Sequence, residues 1–160
     1  SGPGMSRIFD ESLQDILQSM LSVCLEYANG SVDAVYLYCS AEHGMLTADV
    51  FYEIDGNFHQ THELNKSVSG IGAPRFDTSE ERGYALLECL VEDLRELIIL
   101  HERNDLDSPT ELKAHYDVTA AELTVSYDYE LKYSHTETLM ASDIFEAWFE
   151  QIKGQPSRAD

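Results

Sequence analysis

The sequence predicts an α+β domain: an antiparallel β-sheet covered on one face by helices, with elements in the order α-β-β-β-α-β-β-α. Two observations support this class. Three segments repeat apolar residues at spacings of three and four, which is typical of amphipathic helices. Five shorter runs are apolar throughout or alternate apolar with polar residues, and turn residues separate them. Because strand-like runs follow one another directly, we expect antiparallel hairpins.

Each predicted helix buries one apolar stripe. The three helices run from Phe9 to about Tyr27, from Thr78 to about His101, and from about Ser142 to Gly154. The last helix is short but strongly apolar, and its stripe consists of Ile144, Phe145, Trp148, Phe149 and Ile152. Such stripes need a sheet or another helix to cover them.

The stretch from Val32 to Leu64 predicts three consecutive antiparallel strands. Its first run is apolar on both faces, which indicates a well-covered position in the sheet. Turns separate the strands at Glu42-His43-Gly44 and Asp55-Gly56-Asn57. The middle strand has an apolar face of Leu46, Ala48, Val50, Tyr52 and Ile54, and an opposite face of Thr47, Asp49, Phe51 and Glu53.

A second hairpin near the C-terminus repeats this acidic pattern. Its last strand alternates apolar residues with Glu122, Thr124, Ser126, Asp128 and Glu130. Residues 5–154 therefore form one predicted domain. Ser1 to Gly4 resemble the remnant of an expression tag, and residues 155–160 are expected to be a flexible tail. The 66–78 loop is long enough to be either mobile or functional.

The net charge restricts the possible functions more than any sequence motif does. The chain has 30 acidic and 10 basic residues, a formal net charge of −20, and no Lys or Arg from Ile8 to Asn65. Such a surface repels nucleic acid and anionic membranes, and it accelerates association with a basic partner. The alternative is that the charge only keeps the protein soluble.

The sequence offers no catalytic residues, cofactor site or metal site. Gly70-Ile71-Gly72 lacks the rest of a dinucleotide fingerprint and of a P-loop. On a strand, His59 and His62 would point to opposite faces and could not easily share an ion. We therefore expect a binding protein rather than an enzyme.

The cysteines and the N-terminus indicate a cytoplasmic protein. Cys24, Cys39 and Cys89 are odd in number, widely spaced and set among apolar residues, which suits buried thiols in a reducing compartment. The N-terminus lacks the pattern of a signal peptide, and no apolar run is long enough to span a membrane.

The candidate binding residues lie on the acidic faces of the predicted strands. They are Asp49, Phe51 and Glu53 on the second strand, His59, Thr61 and Glu63 on the third, and Glu122, Asp128 and Glu130 on the fifth. Carboxylates on a rigid sheet can accept hydrogen bonds from Arg and attract Lys. The same pattern would also suit an ordinary solvated face. Phe51 is either an exposed interface anchor or is buried under the long loop or the C-terminal helix.

The order of these segments resembles the YezG-like immunity proteins (antitoxins) of bacterial polymorphic toxin systems. The segments that carry the resemblance are VYLYCSAEHGMLTADVFYEIDGNFHQTHEL, LLECLVEDLRELIILHERND, ELKAHYDVTAAELTVSYDYE and ASDIFEAWFEQIKG with Trp148. The resemblance implies a non-enzymatic bacterial protein, without a cofactor, that binds and neutralises a cognate toxin domain, often a nuclease. Both occlusion of the toxin's active site and binding at a distant site would fit.

A second family fits the same order of elements. The size, acidity and order also resemble the class I chaperones of type III secretion, which dimerise and hold an extended effector segment. An immunity protein is expected to bind a folded toxin domain, and to be a monomer or weak homodimer when free. A chaperone is expected to form a stable homodimer.

Overall fold

A computed structural model describes residues 3–68 and 75–155, with side chains from Arg7 onward. The helices are α1 (Pro3–Tyr27), α2 (Glu80–Arg103) and α3 (Ala141–Lys153), and a 3₁₀ helix covers Thr61–Ser67. The strands are β1 (Ala34–Glu42), β2 (Met45–Ile54), β3 (Asn57–Gln60), β4 (Glu111–Asp117) and β5 (Glu122–Asp128). The predicted α+β class and element order are confirmed. The middle of the 66–78 loop, the first two residues of the predicted tag and residues 156–160 lie outside the described residues.

The five strands form one antiparallel sheet in the order β3-β2-β1-β4-β5. The first predicted strand, β1, lies at the centre, where Leu37 is opposite Val50 of β2 and Ala114 of β4. Both central residues of the β2–β3 turn have positive φ, with 51° at Asp55 and 80° at Gly56. Positive φ at both positions matches the right-handed twist of a two-residue hairpin, so the Asp-Gly pair sets this register.

Helices α1 and α2 cover the first face of the sheet. They run antiparallel to each other: the Ser19 hydroxyl donates a hydrogen bond of 2.8 Å to Asp93, and the Arg82 guanidinium lies 4.8 Å from the centre of the Tyr27 ring. The apolar residues of the strands on this side complete the main core, which includes Met20, Cys24, Leu37, Val50, Tyr52, Leu90, Leu97 and Leu112. Burial of this core is the main source of stability.

Helix α3 packs on the second face, which the sequence prediction left without a helix. Its residues Phe145, Trp148 and Phe149 form a separate core with the sheet residues Ala34, Tyr36, Tyr38 and Phe51. The strands account for this arrangement. Since β1 is apolar on both faces and α1 and α2 fill the first face, the stripe of α3 finds its apolar partner on the other side.

The cysteines follow their predicted burial with one exception. Cys24 and Cys39 are buried, but Cys89 is exposed, so that prediction was wrong. The buried stripe of α2 runs through Leu86, Leu90, Leu94, Leu97 and His101. Cys89 lies about 100° around the helix from Leu90 and therefore faces outward.

Replacing Phe51 by Ala is expected to lower the free energy of unfolding by about 3–5 kcal/mol, because it leaves a cavity in the aromatic core under α3. The measurement is equilibrium unfolding in urea. Tyr84→Ala is the matched control, since Tyr84 is exposed on α2, and its effect should stay within about 0.5 kcal/mol. Equal stabilities for Phe51→Ala and the control would contradict the burial of Phe51.

Candidate functional site

Phe51 is not an interface anchor. Its side chain is 0% exposed, and its ring centre lies 5.1 Å from that of Trp148 and 5.0 Å from that of Phe149. Of the two alternatives that the sequence left open, the structure shows burial under the C-terminal helix. The aromatic residue among carboxylates marks the place where α3 docks on the sheet.

His59 and Glu63 do not share a face with the β2 carboxylates. Strand β3 ends at Gln60, and His59 is opposite Tyr52 on the first face of the sheet. Glu63, like Thr61, lies in the 3₁₀ helix, where its carboxylate is 3.0 Å from the Lys66 ammonium. The hydrogen bond from Lys66 is the main reason why the pKa of Glu63 is below its usual value. The predicted three-residue set on the third strand is therefore wrong.

The acidic residues of β5 lie at the far edge of the second face. Glu122 and Asp128 are on β5, and Glu130 follows its end. Asp128 accepts a hydrogen bond of 2.8 Å from the Lys132 ammonium and further ones from the Tyr129 and Glu130 backbone N–H groups. These bonds, with Lys132 first, lower the pKa of Asp128 to about 2. Asp128 thus shapes a turn, and its charge is largely neutralised by Lys132.

Two strands separate β2 from β5, so the sheet does not bring the predicted acidic residues into one patch. Asp49 and Glu53 lie on β2, and β1 and β4 stand between them and Glu122. Neighbouring strands are about 4.8 Å apart, which places the two groups roughly 14 Å from each other. Helix α3 crosses the same face and divides it further. Asp49 is the predicted residue that lies beside a cleft with exposed apolar walls.

This cleft, called the α3 cleft below, has a volume of about 470 Å³. Strand β2, the start of α3 and the segment 133–140 enclose it, and Tyr38, Thr47, Asp49 and Phe145 are among its lining residues. Three apolar side chains at its rim are exposed: Met45 at 60%, Leu139 at 43% and Met140 at 66%. Exposed apolar side chains around a concave site are typical of a surface that receives a partner.

A buried carboxylate fixes the wall of the cleft. Glu42 is 1% exposed, and its carboxylate accepts hydrogen bonds from the backbone N–H groups of Lys132 and Ser134 at 2.8 and 3.0 Å. It also accepts bonds from the Tyr133 N–H group and the Ser134 hydroxyl. Burial alone would raise the pKa of Glu42, but these donors outweigh it and hold the pKa below its usual value. These hydrogen bonds hold residues 132–134 against the end of β1.

The floor of the cleft holds two buried hydroxyl groups. Among the described residues, the buried Tyr38 Oη and Thr47 Oγ1 atoms make no hydrogen bond of good geometry. The Ser40 hydroxyl is close to Tyr38, but it shares a 2.7 Å hydrogen bond with Tyr133 Oη. An unsatisfied buried polar atom costs about 1–3 kcal/mol. Both oxygen atoms are covered by their neighbours, so a ligand group would reach them only when the side chains above them move.

Asp49 sits beside these hydroxyls, half-buried and ionisable near neutral pH. Burial raises its pKa to about 6, against the lowering effect of the Val50 N–H group, which donates to it at 3.0 Å. Repulsion from Glu146 of α3 raises the pKa further, and His62 opposes this slightly. Ionisation of Asp49 is thus unfavourable in the free protein, and a cation bound beside it would stabilise the ionised form.

One side of α3 carries a row of exposed carboxylates. Asp143, Glu146 and Glu150 are exposed at a spacing that places them on one face of the helix, and we call them the acidic ridge. Glu146 accepts a 2.8 Å hydrogen bond from Gln60, which places the ridge on the side of β2 and β3. Beyond the helix lies a groove of about 650 Å³ with both signs of charge in its lining, namely Lys113 and Lys153 together with Asp33, Glu53 and Asp117.

The acidic ridge and the apolar rim were not among the residues predicted from sequence. The ridge had a signal, because its three carboxylates recur opposite the Phe145 and Trp148 stripe. The rim had none: Met45 is the first residue of β2, Leu139 and Met140 lie in an irregular segment, and long-range hydrogen bonds such as those to Glu42 bring them together.

The described residues contain no group of three or more His, Cys, Asp or Glu side chains placed to hold a metal ion. Across the same part of the chain, no helix combines the length and apolar character needed to cross a bilayer. Comparison with known protein families and with curated proteins found no match to this sequence. The function is therefore inferred from the α3 cleft and the acidic ridge.

Asp49→Asn is expected to stabilise the protein at high pH. Folding raises the pKa of Asp49 from 3.8 to about 6, so the ionised form destabilises the folded state increasingly as pH rises through this range. Asn stays neutral and keeps an acceptor for the Val50 N–H group. The gain should reach up to about 3 kcal/mol at pH 8 and vanish near pH 4. Urea unfolding across this pH series measures it.

The control for this prediction is Glu122→Gln, which removes one exposed carboxylate from the edge strand of the same sheet. Its stability should follow the wild-type curve within about 0.5 kcal/mol at each pH. A stability of Asp49→Asn that is unchanged, or lowered at pH 8, would show that Asp49 is not strained by burial.

Glu42→Gln is expected to loosen the wall of the α3 cleft. Gln has one acceptor oxygen, so at least one of the Lys132 and Ser134 N–H groups loses its partner, at about 1–3 kcal/mol. Because folding lowers the pKa of Glu42 from 4.5, its contribution is present at neutral pH and is lost as pH falls below 4.5. Hydrogen exchange at Lys132 and Ser134 should accelerate in this variant. In Glu137→Gln, an exposed change in the same segment, it should not.

Proposed function

We propose that the protein is an immunity protein of the bacterial cytoplasm, which binds the basic toxic domain of a cognate effector and blocks its active-site surface. The observation that carries this proposal is the juxtaposition of the acidic ridge and the α3 cleft on one side of α3. The acidic ridge offers exposed carboxylates, and the cleft offers exposed apolar side chains. Together they have the composition of a protein-binding surface with an apolar centre and a charged rim.

The charge of the protein suits a nuclease toxin in particular. A nuclease holds phosphates with Lys and Arg side chains, so its active-site surface is basic. Carboxylates on a fixed helix can pair with those side chains in place of phosphate. With a net charge of −20, the whole protein attracts such a surface from a distance. The same contacts would then guide the toxin to the immunity protein and exclude its substrate.

A second candidate is an effector chaperone of the class I type. The observation in its favour is the element order of helix, three strands, helix, two strands and helix. The two functions differ in their partner and assembly. A chaperone would be a stable homodimer and would bind an unfolded segment, whereas the proposed immunity protein would bind a folded domain.

The expected result with the toxin domain encoded by the neighbouring gene is fast, salt-dependent association that inhibits its nuclease activity. Reversing two ridge charges, with Glu146→Lys and Glu150→Lys, should reduce the association rate constant by about tenfold at low salt. Surface plasmon resonance at several ionic strengths measures this rate. The matched control carries Glu88→Lys and Glu96→Lys, which make the same change in net charge on the exposed side of α2.

A much smaller effect of the α2 control would support binding at the acidic ridge. Equal effects of the two pairs would mean that only net charge matters, and no effect of the ridge pair would remove the ridge from the interface. If no toxin binds and light scattering shows a stable homodimer, the chaperone function replaces the proposal.

A further inference from the structure

The floor of the α3 cleft has the polar groups of a binding site for a specific chemical group. Tyr38 is 1% exposed and lines the cleft, and its hydroxyl lies near the Ser40 hydroxyl without a hydrogen bond of good geometry. Thr47 Oγ1 likewise makes no hydrogen bond of good geometry to a described residue. Thr47 and Asp49 lie two residues apart on the same face of β2, and Asp49 is directly opposite Tyr38 of β1. One half-buried carboxylate and two covered hydroxyl groups thus belong to residues that line one cleft.

The groups on the floor favour a ligand with several hydrogen-bond donors and a positive charge. A carboxylate only accepts hydrogen bonds, and each hydroxyl has oxygen lone pairs to offer. The walls are apolar, with Met45, Leu139 and Met140 at the rim and Phe145 inside. A guanidinium on an alkyl stem matches both parts, because its five N–H donors fan out in a plane and its stem can lie along methionine side chains.

We propose that the α3 cleft receives an arginine side chain of the partner protein, with its guanidinium paired to the Asp49 carboxylate above Thr47 and Tyr38 and its stem between Met45 and Met140. This assignment rests on the proposed function, since it names one contact of the same interface. The partner is expected to be rich in basic residues because the protein carries a net charge of −20. The exposed acidic ridge beside the cleft would surround the inserted residue with further carboxylates.

The first test needs no toxin. The probe is N-acetyl-arginine methylamide, added to the whole protein with ¹³C-labelled methionine methyl groups. Saturable shifts are expected at the Met45 and Met140 methyls, and none at the Met20 methyl, which is buried in the core on the other face. The norleucine analogue, which has the stem without the charge, should bind at least about tenfold more weakly.

Asp49→Asn is the central variant. The expected stabilisation by this change means that lost binding cannot be ascribed to unfolding. It should weaken probe binding by at least about tenfold, whereas Glu122→Gln should not change it. Wild-type binding should also weaken by about tenfold from pH 7.5 to pH 5, because Asp49 becomes protonated. Glu146 of α3 and His62 of the 3₁₀ helix act on the same carboxylate, and the pH series on Asp49→Asn accounts for their contribution.

Each outcome decides the assignment. The absence of saturable shifts in the wild type, or equal affinities for the arginine and norleucine probes, would overturn it. Tighter binding of free arginine than of the capped form would identify a small-molecule site and overturn the assignment to a partner protein. Because these titrations contain no toxin, they can succeed where toxin binding fails, and the reverse also holds.

Discussion

The structure depends on the contact between the aromatic stripe of α3 and the second face of the sheet. Strand β1 is apolar on both sides, so two separate cores must form, and α1 and α2 can fill only one of them. The single tryptophan closes the second core against Phe51. This contact fixes where α3 lies, and with it both the acidic ridge and the start of the α3 cleft. Core packing thereby positions the surface that we propose to be functional.

Two partly or fully buried carboxylates near α3 have opposite effects on the stability of the fold. Glu42 is buried but receives enough hydrogen bonds to keep its charge, and it therefore fixes the segment that forms the cleft wall. Asp49 receives one backbone hydrogen bond and faces another carboxylate, so its charge destabilises the fold. Proteins commonly retain such groups where binding relieves the strain. Because Asp49 lacks the hydrogen bonds that stabilise the charge of Glu42, a cation is expected to bind at Asp49.

Periodicity in the sequence was sufficient to predict the fold class, the order of elements and which residues of β2 share a face. Alternation assigned Asp49 and Phe51 to the same face, as observed, but it could not show that a helix 90 residues later in the chain would cover one of them. His59 was misplaced because β3 is only four residues long and the chain then turns into a 3₁₀ helix. The α3 cleft was beyond sequence reasoning, since its walls come from β1 and β2 and from residues 133–145, which are far apart in the chain and are brought together by long-range hydrogen bonds.

Charge and shape would contribute to recognition at different distances. The field of the whole acidic protein acts before contact, so it raises the rate of encounter but distinguishes poorly among basic partners. Specific recognition requires groups that are desolvated only when the correct side chain enters, because an unmatched partner leaves them unpaired. Asp49 is such a group, half-buried on a rigid sheet beneath an apolar rim. An acidic surface that contains one selective cleft can therefore combine fast association with recognition of a single cognate partner.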